Sequence, residues 1–249
     1  MQPFERLRSL ARWGDSDEEL LVEIAGCLAE FDDDPAGLVV ACRRLLDHHR
    51  DWGALWWLCS RVLASPQPAA AATEALSLVA ADATPSRLAR ALPFPADGPI
   101  AVLGWPLIGP HLVAERVDLT VISVLTDPFA ESDLPPVDEV DAGGLAELAP
   151  THLLVEPPAT SDVRVTLPTG GRAAIDRCPA VTRLWLVTPV GTVLPERLVA
   201  ALAAAASLSE SVAPSIFDRV VSGRGLSSPE TLVERLDAPV APELLRPLR

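Results

Sequence analysis

The sequence predicts an α/β protein: an all-helical N-terminal domain, residues 1–97, followed by a Rossmann-like domain, residues 98–249, whose mostly parallel sheet is flanked by helices. Residues 4–92 carry the apolar periodicity of helices. Four short apolar runs follow Gly98, each bounded by turn residues and followed by a helix-like stretch. Such near-continuous runs of Val, Ile and Leu are typical of strands that crossover helices bury on both faces. Because ligands bind outside the carboxyl ends of strands in open parallel sheets, we expect a site at that edge.

The N-terminal half divides into helices at its Pro and Asp residues. An Asp before an acidic first turn favours a helix start, and Pro after Asp34 fits the first position of the next helix. The expected helices span residues 18–31, 35–49, 51–64, 69–82 and 85–92. Pro and Gly residues at 93–99 then mark the boundary.

The C-terminal half alternates strands with helix-like stretches. The main strands are Ile100–Gly104, Leu119–Leu125, His152–Glu156 and Arg183–Val187, with shorter extended pieces at 136–140, 163–167 and 216–221. The helices between and after them are expected at 106–116, 144–148, 172–178, 196–206 and 229–236. The segment 222–230 is predicted to be a turn, because Gly flanks it.

Charge and residue usage exclude several kinds of partner and chemistry. The chain has 249 residues and a formal net charge of −14. A surface built for nucleic acid or for anionic lipid needs concentrated positive charge, so we expect no nucleic-acid partner and no membrane partner. All 20 basic residues are Arg, and the chain contains no Lys and no Tyr. A Schiff-base lysine, a P-loop lysine and a tyrosine acid are therefore excluded.

The cysteines and the apolar stretches indicate a reduced protein of the cytoplasm. Four cysteines show no CxxC pair, which favours buried thiols in a reducing compartment. The N-terminus lacks the apolar core of a signal peptide, and the longest apolar stretch, Leu198–Ala206, is too short to span a membrane. The Asp32–Asp34 run lacks the spacing of a Ca²⁺ loop, and the adjacent His48 and His49 do not face each other on a helix. We expect no metal and no cofactor.

A helix rich in tryptophan leaves two interpretations open. Trp52 and Trp56 share one face of the segment 51–64, and Trp57 lies on another. Aromatic side chains at this density pack between helices in most proteins, but they also form surfaces that bind a partner.

The strongest local candidate for ligand binding is the turn Thr169, Gly170, Gly171 and Arg172 at a helix start. Consecutive amides, a helix N-terminus and a guanidinium suit phosphate, although Gly-Gly also serves as a plain turn. The segment 104–111 is a weaker candidate, because it lacks GxGxxG spacing and its prolines remove donors.

Two carboxylates are candidate catalytic residues. Glu156 follows a buried strand and could act as a base or accept a hydroxyl, as could Asp127 after the second strand. A solvated strand end or an Arg partner is the more ordinary interpretation of either acid. No GxSxG turn and no Cys-His pair is visible, so nucleophilic catalysis has no support.

The order of these segments resembles the family of translation initiation factor 2B α, β and δ subunits, which also contains ribose-1,5-bisphosphate and methylthioribose-1-phosphate isomerases. That family has a strand ending in Gly-Ala-Asp, a short hairpin and an Asn-Lys-Ile-Gly-Thr turn, and residues 151–175 (THLLVEPPATSDVRVTLPTGGRAAI) have the same layout. Residues 217–232 (FDRVVSGRGLSSPETL) are similar to the family's closing segment.

The resemblance implies a scaffold without the isomerase chemistry. The isomerases use a Cys after an early strand and the Asp of Gly-Ala-Asp, whereas this chain has Trp105 or Pro106 and Pro158 there. It also implies homodimers through the sheet domain and a helical domain that caps the pocket. We therefore expect a non-catalytic, regulatory protein that binds a small phosphorylated metabolite, a sugar phosphate or a nucleotide. The alternatives are a sugar-phosphate isomerase that uses Glu156 and Asp127, and a dimeric interaction scaffold that uses the tryptophan-rich helix.

Overall fold

A computed structural model describes residues 3–10, 18–94, 96–104, 108–125, 138–235 and 238–246. The helices are α1 (Pro3–Leu10), α2 (Glu18–Ala29), α3 (Pro35–His48), α4 (Gly53–Ala64), α5 (Pro68–Ala80), α6 (Thr84–Ala91), α7 (Ile108–Glu115), α8 (Leu145–Leu148), α9 (Gly171–Arg177) and α10 (Glu196–Ala205). The strands are β1 (Ile100–Leu103), β2 (Val121–Val124), β3 (Asp138–Val140), β4 (His152–Val155), β5 (Val165–Leu167), β6 (Arg183–Val187), β7 (Glu210–Val212), β8 (Arg219–Ser222) and β9 (Gly225–Ser227). The predicted α/β fold class is confirmed.

A side-chain cap defines the start of α3. The Asp34 side chain accepts a hydrogen bond from the Gly37 amide at 2.9 Å and so caps α3, as the sequence predicts. The helix predicted at 229–236 is wrong in type, because Pro229–Arg235 forms a 3-10 helix. Strand β9 lies inside the segment predicted to be a turn, where it pairs antiparallel with β8.

The main sheet has seven strands in the order β3-β2-β1-β4-β6-β8-β9, parallel except for β9. The chain runs outward from β1 through β2 to β3 and then returns to the other side of β1 as β4. The crossover connections therefore diverge between β1 and β4. This is the topological switch point, where open α/β sheets form a crevice at the carboxyl ends of the strands.

Helices bury both faces of this sheet. One face, with Val102, Leu154 and Val187, packs against apolar residues of α6 and α7. The other face, with Leu103, Val155 and Leu186, packs against α9 and the small antiparallel sheet formed by β5 and β7. Burial on both faces is the reason that the main strands lack polar alternation.

The core of the helical half includes residues from the C-terminal half. Helices α2 to α5 share one apolar cluster with α10 and with Ala238, Ala241 and Leu244 of the tail. The Ser60 hydroxyl on α4 donates to the Pro239 carbonyl and accepts from the Ala241 amide, which fixes the tail on the helices. Helix α6, by contrast, packs on the sheet. The boundary after residue 97 stays a prediction.

The tryptophans and cysteines of the helical half lie mainly inside it. Trp56 and Trp57 are each 1% exposed, so the interpretation of α4 as a partner-binding surface loses its basis. Cys27, Cys42 and Cys59 are buried, and none of them forms a disulfide. No helix within the described ranges is long and apolar enough to cross a membrane. Those ranges also contain no group of three or more His, Cys, Asp or Glu residues that could hold a metal ion.

Two glycines allow α4 to begin directly on the strand-end loops. A Cβ atom on Gly53 would overlap the carbonyl oxygen of Pro158 in the loop after β4. A Cβ atom on Gly191, in the loop after β6, would lie 2.8 Å from the Cα of Ala54. Gly191 also has a φ of 87°, which side chains with a Cβ rarely adopt. The helical half thus contacts the carboxyl edge of the sheet, backbone against backbone.

We predict that Gly53→Ala destabilises the protein by about 1–3 kcal/mol, because a methyl group against a fixed carbonyl overpacks the contact. Chemical denaturation followed by circular dichroism measures the change. Gly143→Ala is the matched control, since Gly143 is exposed and a Cβ there would approach the side chain of Asp141 rather than a packed backbone. Equal unfolding midpoints for the two variants would contradict the close contact.

Candidate functional site

The candidate site is a cleft at the switch point between β1 and β4. Helix α7 begins shortly after β1, and Glu156 follows β4 directly. The Ile108 amide, at the first residue of α7, donates to a Glu156 carboxylate oxygen at 3.2 Å. This bond joins the two elements that diverge at the switch point and places the Glu156 side chain between them.

Helices of the N-terminal half cover the cleft on the side opposite the strand ends. The volume of the cleft is about 500 Å³. Its lining comes from the start of α2, the start of α4, the end of α5, the start of α7 and the loop after β6. Trp52, Val79 and Ile108 provide apolar walls. A cavity of this size and composition is typical of sites for small molecules.

Four carboxyl groups border the cleft, those of Glu18, Glu19, Asp82 and Glu156. Apart from His111, no basic side chain among the described residues lines it. The cleft is therefore a site of negative potential, which favours hydroxyl and ammonium groups of a ligand over anionic groups.

Glu156 is the carboxyl group whose chemistry the cleft changes most. Burial raises the pKa of Glu156 from 4.5 to about 7, and the carboxylate of Asp82 contributes in the same direction. The hydrogen bond from the Ile108 amide opposes both effects. A carboxyl group that titrates near neutrality can accept a hydrogen bond from a sugar hydroxyl, donate one, or exchange a proton.

Asp82 connects the end of α5 to the loop after β6. One of its carboxylate oxygens accepts from the Thr84 amide at 2.8 Å and from the Thr84 hydroxyl at 2.6 Å. The other accepts from the Val190 amide at 2.8 Å. Asp82 thus holds one wall of the cleft in place while its charge faces the cavity.

A smaller cavity adjoins the cleft. It has a volume of about 210 Å³ and shares Pro189 and Val190 with the cleft as lining residues. Its other walls include Trp57, the hydroxyl residues Thr188 and Ser222, and Arg224 in the β8–β9 turn. Arg224 brings to this region the positive charge that the cleft itself lacks.

The structure places the predicted site residues in different surroundings. Glu156 lies in the cleft, at the carboxyl end of β4, where the sequence predicts a site. Asp127 lies outside the described residues, and so do Trp105 and Pro106. Pro158, where the isomerases have an acid, contributes its carbonyl to the contact with Gly53.

The Gly-Gly turn lies away from both cavities, and a carboxylate of the chain already occupies it. The amides of Gly170 and Arg172 each donate to Glu210 at 2.7 Å. The Arg172 side chain pairs with Asp176 at 3.0 Å. The turn therefore binds an anionic group that belongs to β7. A phosphate at Thr169, Gly170, Gly171 and Arg172 would have to displace Glu210, and phosphate binding there stays a prediction.

Sequence reasoning missed Trp52, Asp82 and Arg224 as parts of the site. Asp82 ends a helix and Arg224 sits in a turn, where such residues are common and carry no local signal. Long-range contacts between the end of α5, the loop after β6 and the β8–β9 turn bring Asp82 to the cleft and Arg224 to the cavity beside it.

We predict that Glu156 makes the stability of the protein depend on pH. The folded state binds more protons than the unfolded state between pH 4.5 and about 7, so stability falls as the pH rises through that window. The loss is about 3 kcal/mol and is complete above the folded pKa. Glu156→Gln removes this contribution, whereas Glu147→Gln, at an exposed position of α8, keeps the wild-type dependence. Urea unfolding at several pH values tests this, and an unchanged slope in Glu156→Gln would contradict it.

Comparisons with known proteins find solved structures with a similar fold. No protein-family model and no curated protein matches the sequence. The crystal structure of translation initiation factor eIF-2B from Pyrococcus horikoshii OT3 is similar, with a TM-score of 0.68 at 9% identity over 92% of this chain and 97% of that one. The tetrameric eIF2B-beta2-delta2 complex from C. thermophilum gives a TM-score of 0.65 at 15% identity, covering 93% and 92%.

An enzyme has the same architecture. The crystal structure of 5-methylthioribose 1-phosphate isomerase from Pyrococcus horikoshii OT3 gives a TM-score of 0.56 at 11% identity, over 94% of this chain and 86% of that one. These matches span nearly the whole chain and confirm, at the level of the fold, the resemblance that the sequence suggests. The chain therefore has the fold shared by translation initiation factor 2B subunits and 5-methylthioribose 1-phosphate isomerase.

Proposed function

We propose that this chain binds a small phosphorylated metabolite, a sugar phosphate or a nucleotide, in the cleft, and that it acts as a divergent, non-catalytic and regulatory relative of the initiation factor 2B subunits. The observation that carries the proposal is the cleft of about 500 Å³ at the switch point, with Glu156 enclosed in it. Its carboxyl group is suited to the hydroxyl groups of a sugar ring, and Trp52 and Ile108 offer apolar contacts to the ring.

The residues of the cleft support binding rather than the isomerase chemistry. Pro158 stands where the isomerases have their Asp, and its carbonyl packs against α4. Among the described residues, no cysteine lines the cleft. A ligand can therefore be held by these residues without the Cys and Asp pair that the resemblance associates with turnover.

The homodimer and the cytoplasmic location expected from the sequence belong to the same proposal. The similarity to a tetrameric initiation factor complex supports self-association. The buried cysteines, which form no disulfide, support a reducing compartment.

Isothermal titration calorimetry with ribose 5-phosphate tests the binding function. We expect saturable binding by the wild-type chain. Glu156→Ala should weaken it at least about tenfold, because it removes a hydrogen bond to a charged acceptor. Glu147→Ala should bind like the wild type, since Glu147 is exposed on α8 and lines neither cavity. No binding by the wild type, or equal affinities for all three proteins, would contradict the proposal.

One observation favours an enzyme as the second candidate. A pKa of about 7 for Glu156 suits a group that moves a proton between neighbouring carbons of a sugar. Proton NMR of 5-methylthioribose 1-phosphate incubated with the chain separates the two functions. Turnover that Glu156→Gln abolishes would favour the isomerase, whereas binding without turnover supports the regulatory protein.

A further inference from the structure

We propose that Arg224 holds the phosphate group of the ligand in the small cavity beside the cleft, while the hydroxyl groups of the same ligand face Glu156. This inference rests on the proposed function and adds the orientation of the ligand. It assigns the anion subsite to the β8–β9 turn rather than to the Gly-Gly turn before α9.

The charge of the cleft requires the phosphate to lie outside it. Glu18, Glu19, Asp82 and Glu156 border the cleft, and a phosphate among them would meet like charge in a partly enclosed cavity. Hydroxyl groups of a sugar are favourable there, because carboxylates accept hydrogen bonds from them. A phosphorylated ligand is thus oriented with its neutral part in the cleft and its anionic part away from the carboxylates.

Arg224 is fixed at the boundary of the cleft. The β8–β9 turn is closed by the pairing of Ser222 with Gly225, and the Arg224 amide donates to the Ser222 hydroxyl at 3.2 Å. The turn also packs on the wall of the cleft, since a Cβ atom on Gly223 would lie 3.0 Å from a carboxylate oxygen of Asp82. The backbone that carries the Arg224 side chain is therefore held in place beside the cleft.

The guanidinium group of Arg224 is available for a ligand. Within the described ranges it forms no ion pair. Asp82, which lies against Gly223 of the same turn, accepts hydrogen bonds from Thr84 and from the Val190 amide. Thr188 and Ser222 line the same small cavity. The Thr188 hydroxyl donates to the Val221 carbonyl at 3.1 Å, so the guanidinium of Arg224 is the group that the proposal relies on. A planar guanidinium can bind phosphate in a bidentate manner.

The alternative anion subsite is already satisfied by the chain itself. The amides of Gly170 and Arg172 donate to Glu210, and the Arg172 side chain pairs with Asp176. Arg172 and Arg224 are both exposed, so replacing either one leaves the core intact. The two arginines therefore form a matched pair of positions for a test.

Calorimetric titrations with ribose 5-phosphate and with ribose distinguish the two subsites. Arg224→Ala should weaken binding of ribose 5-phosphate about tenfold or more and leave the affinity for ribose unchanged, because ribose has no phosphate. Arg172→Ala should bind both ligands like the wild type. Circular dichroism melting curves verify that both variants fold.

The titrations distinguish a failure of the proposed function from a failure of the role assigned to Arg224. If Glu156→Ala weakens binding of ribose 5-phosphate but Arg224→Ala does not, the proposed function stands and the role of Arg224 is overturned. A loss confined to Arg172→Ala would assign the phosphate to the Gly-Gly turn and would also overturn it. A wild-type chain that binds neither ligand would overturn the proposed function together with this orientation.

Discussion

The close contact between α4 and the strand-end loops determines where the helical half lies on the sheet and so forms the cleft. Gly53 and Gly191 permit an approach that any Cβ atom would prevent. The hydrogen bond from the Val190 amide to Asp82 extends the same contact to the end of α5. These contacts fix the helical half at the carboxyl edge of the sheet. The helices therefore cover the crevice at that edge and enclose the carboxyl group of Glu156.

Enclosure and charge together determine what this cleft can do. In an open crevice the carboxyl group of Glu156 would be solvated and would keep its ordinary pKa. Burial beneath the helices raises that pKa to about 7. The accumulated carboxylates favour hydroxyl groups, whereas Arg224 lines the adjoining cavity, which shares Pro189 and Val190 with the cleft. A ligand that carries both hydroxyl groups and a phosphate suits this division of charge better than one with a single kind of polar group.

The sequence predicts those parts of the fold that local patterns encode. The strand Arg183–Val187 and the cap at Asp34 follow from apolar runs and capping chemistry, and both are found. Strand β7 was not predicted, because three residues that pair with the distant β5 leave no local periodicity. The same limit applies to the site. Glu156 could be found as a strand-end residue. Asp82 reaches the cleft, and Arg224 the cavity beside it, through contacts between elements more than a hundred residues apart.

The Gly-Gly turn shows the same limit of local reasoning. A turn of this kind binds anions, but its sequence does not show whether the anion is a ligand or a side chain. Here Glu210 fills the turn, and the pairing of β5 with β7 brings that carboxylate to it.

A crystal structure of the chain with ribose 5-phosphate would show where each part of the ligand binds. We expect density in the cleft, with ribose hydroxyls within hydrogen-bond distance of Glu156 and the phosphate beside Arg224. Density at the Gly-Gly turn with Glu210 displaced, or an empty cleft at saturating ligand, would contradict that expectation.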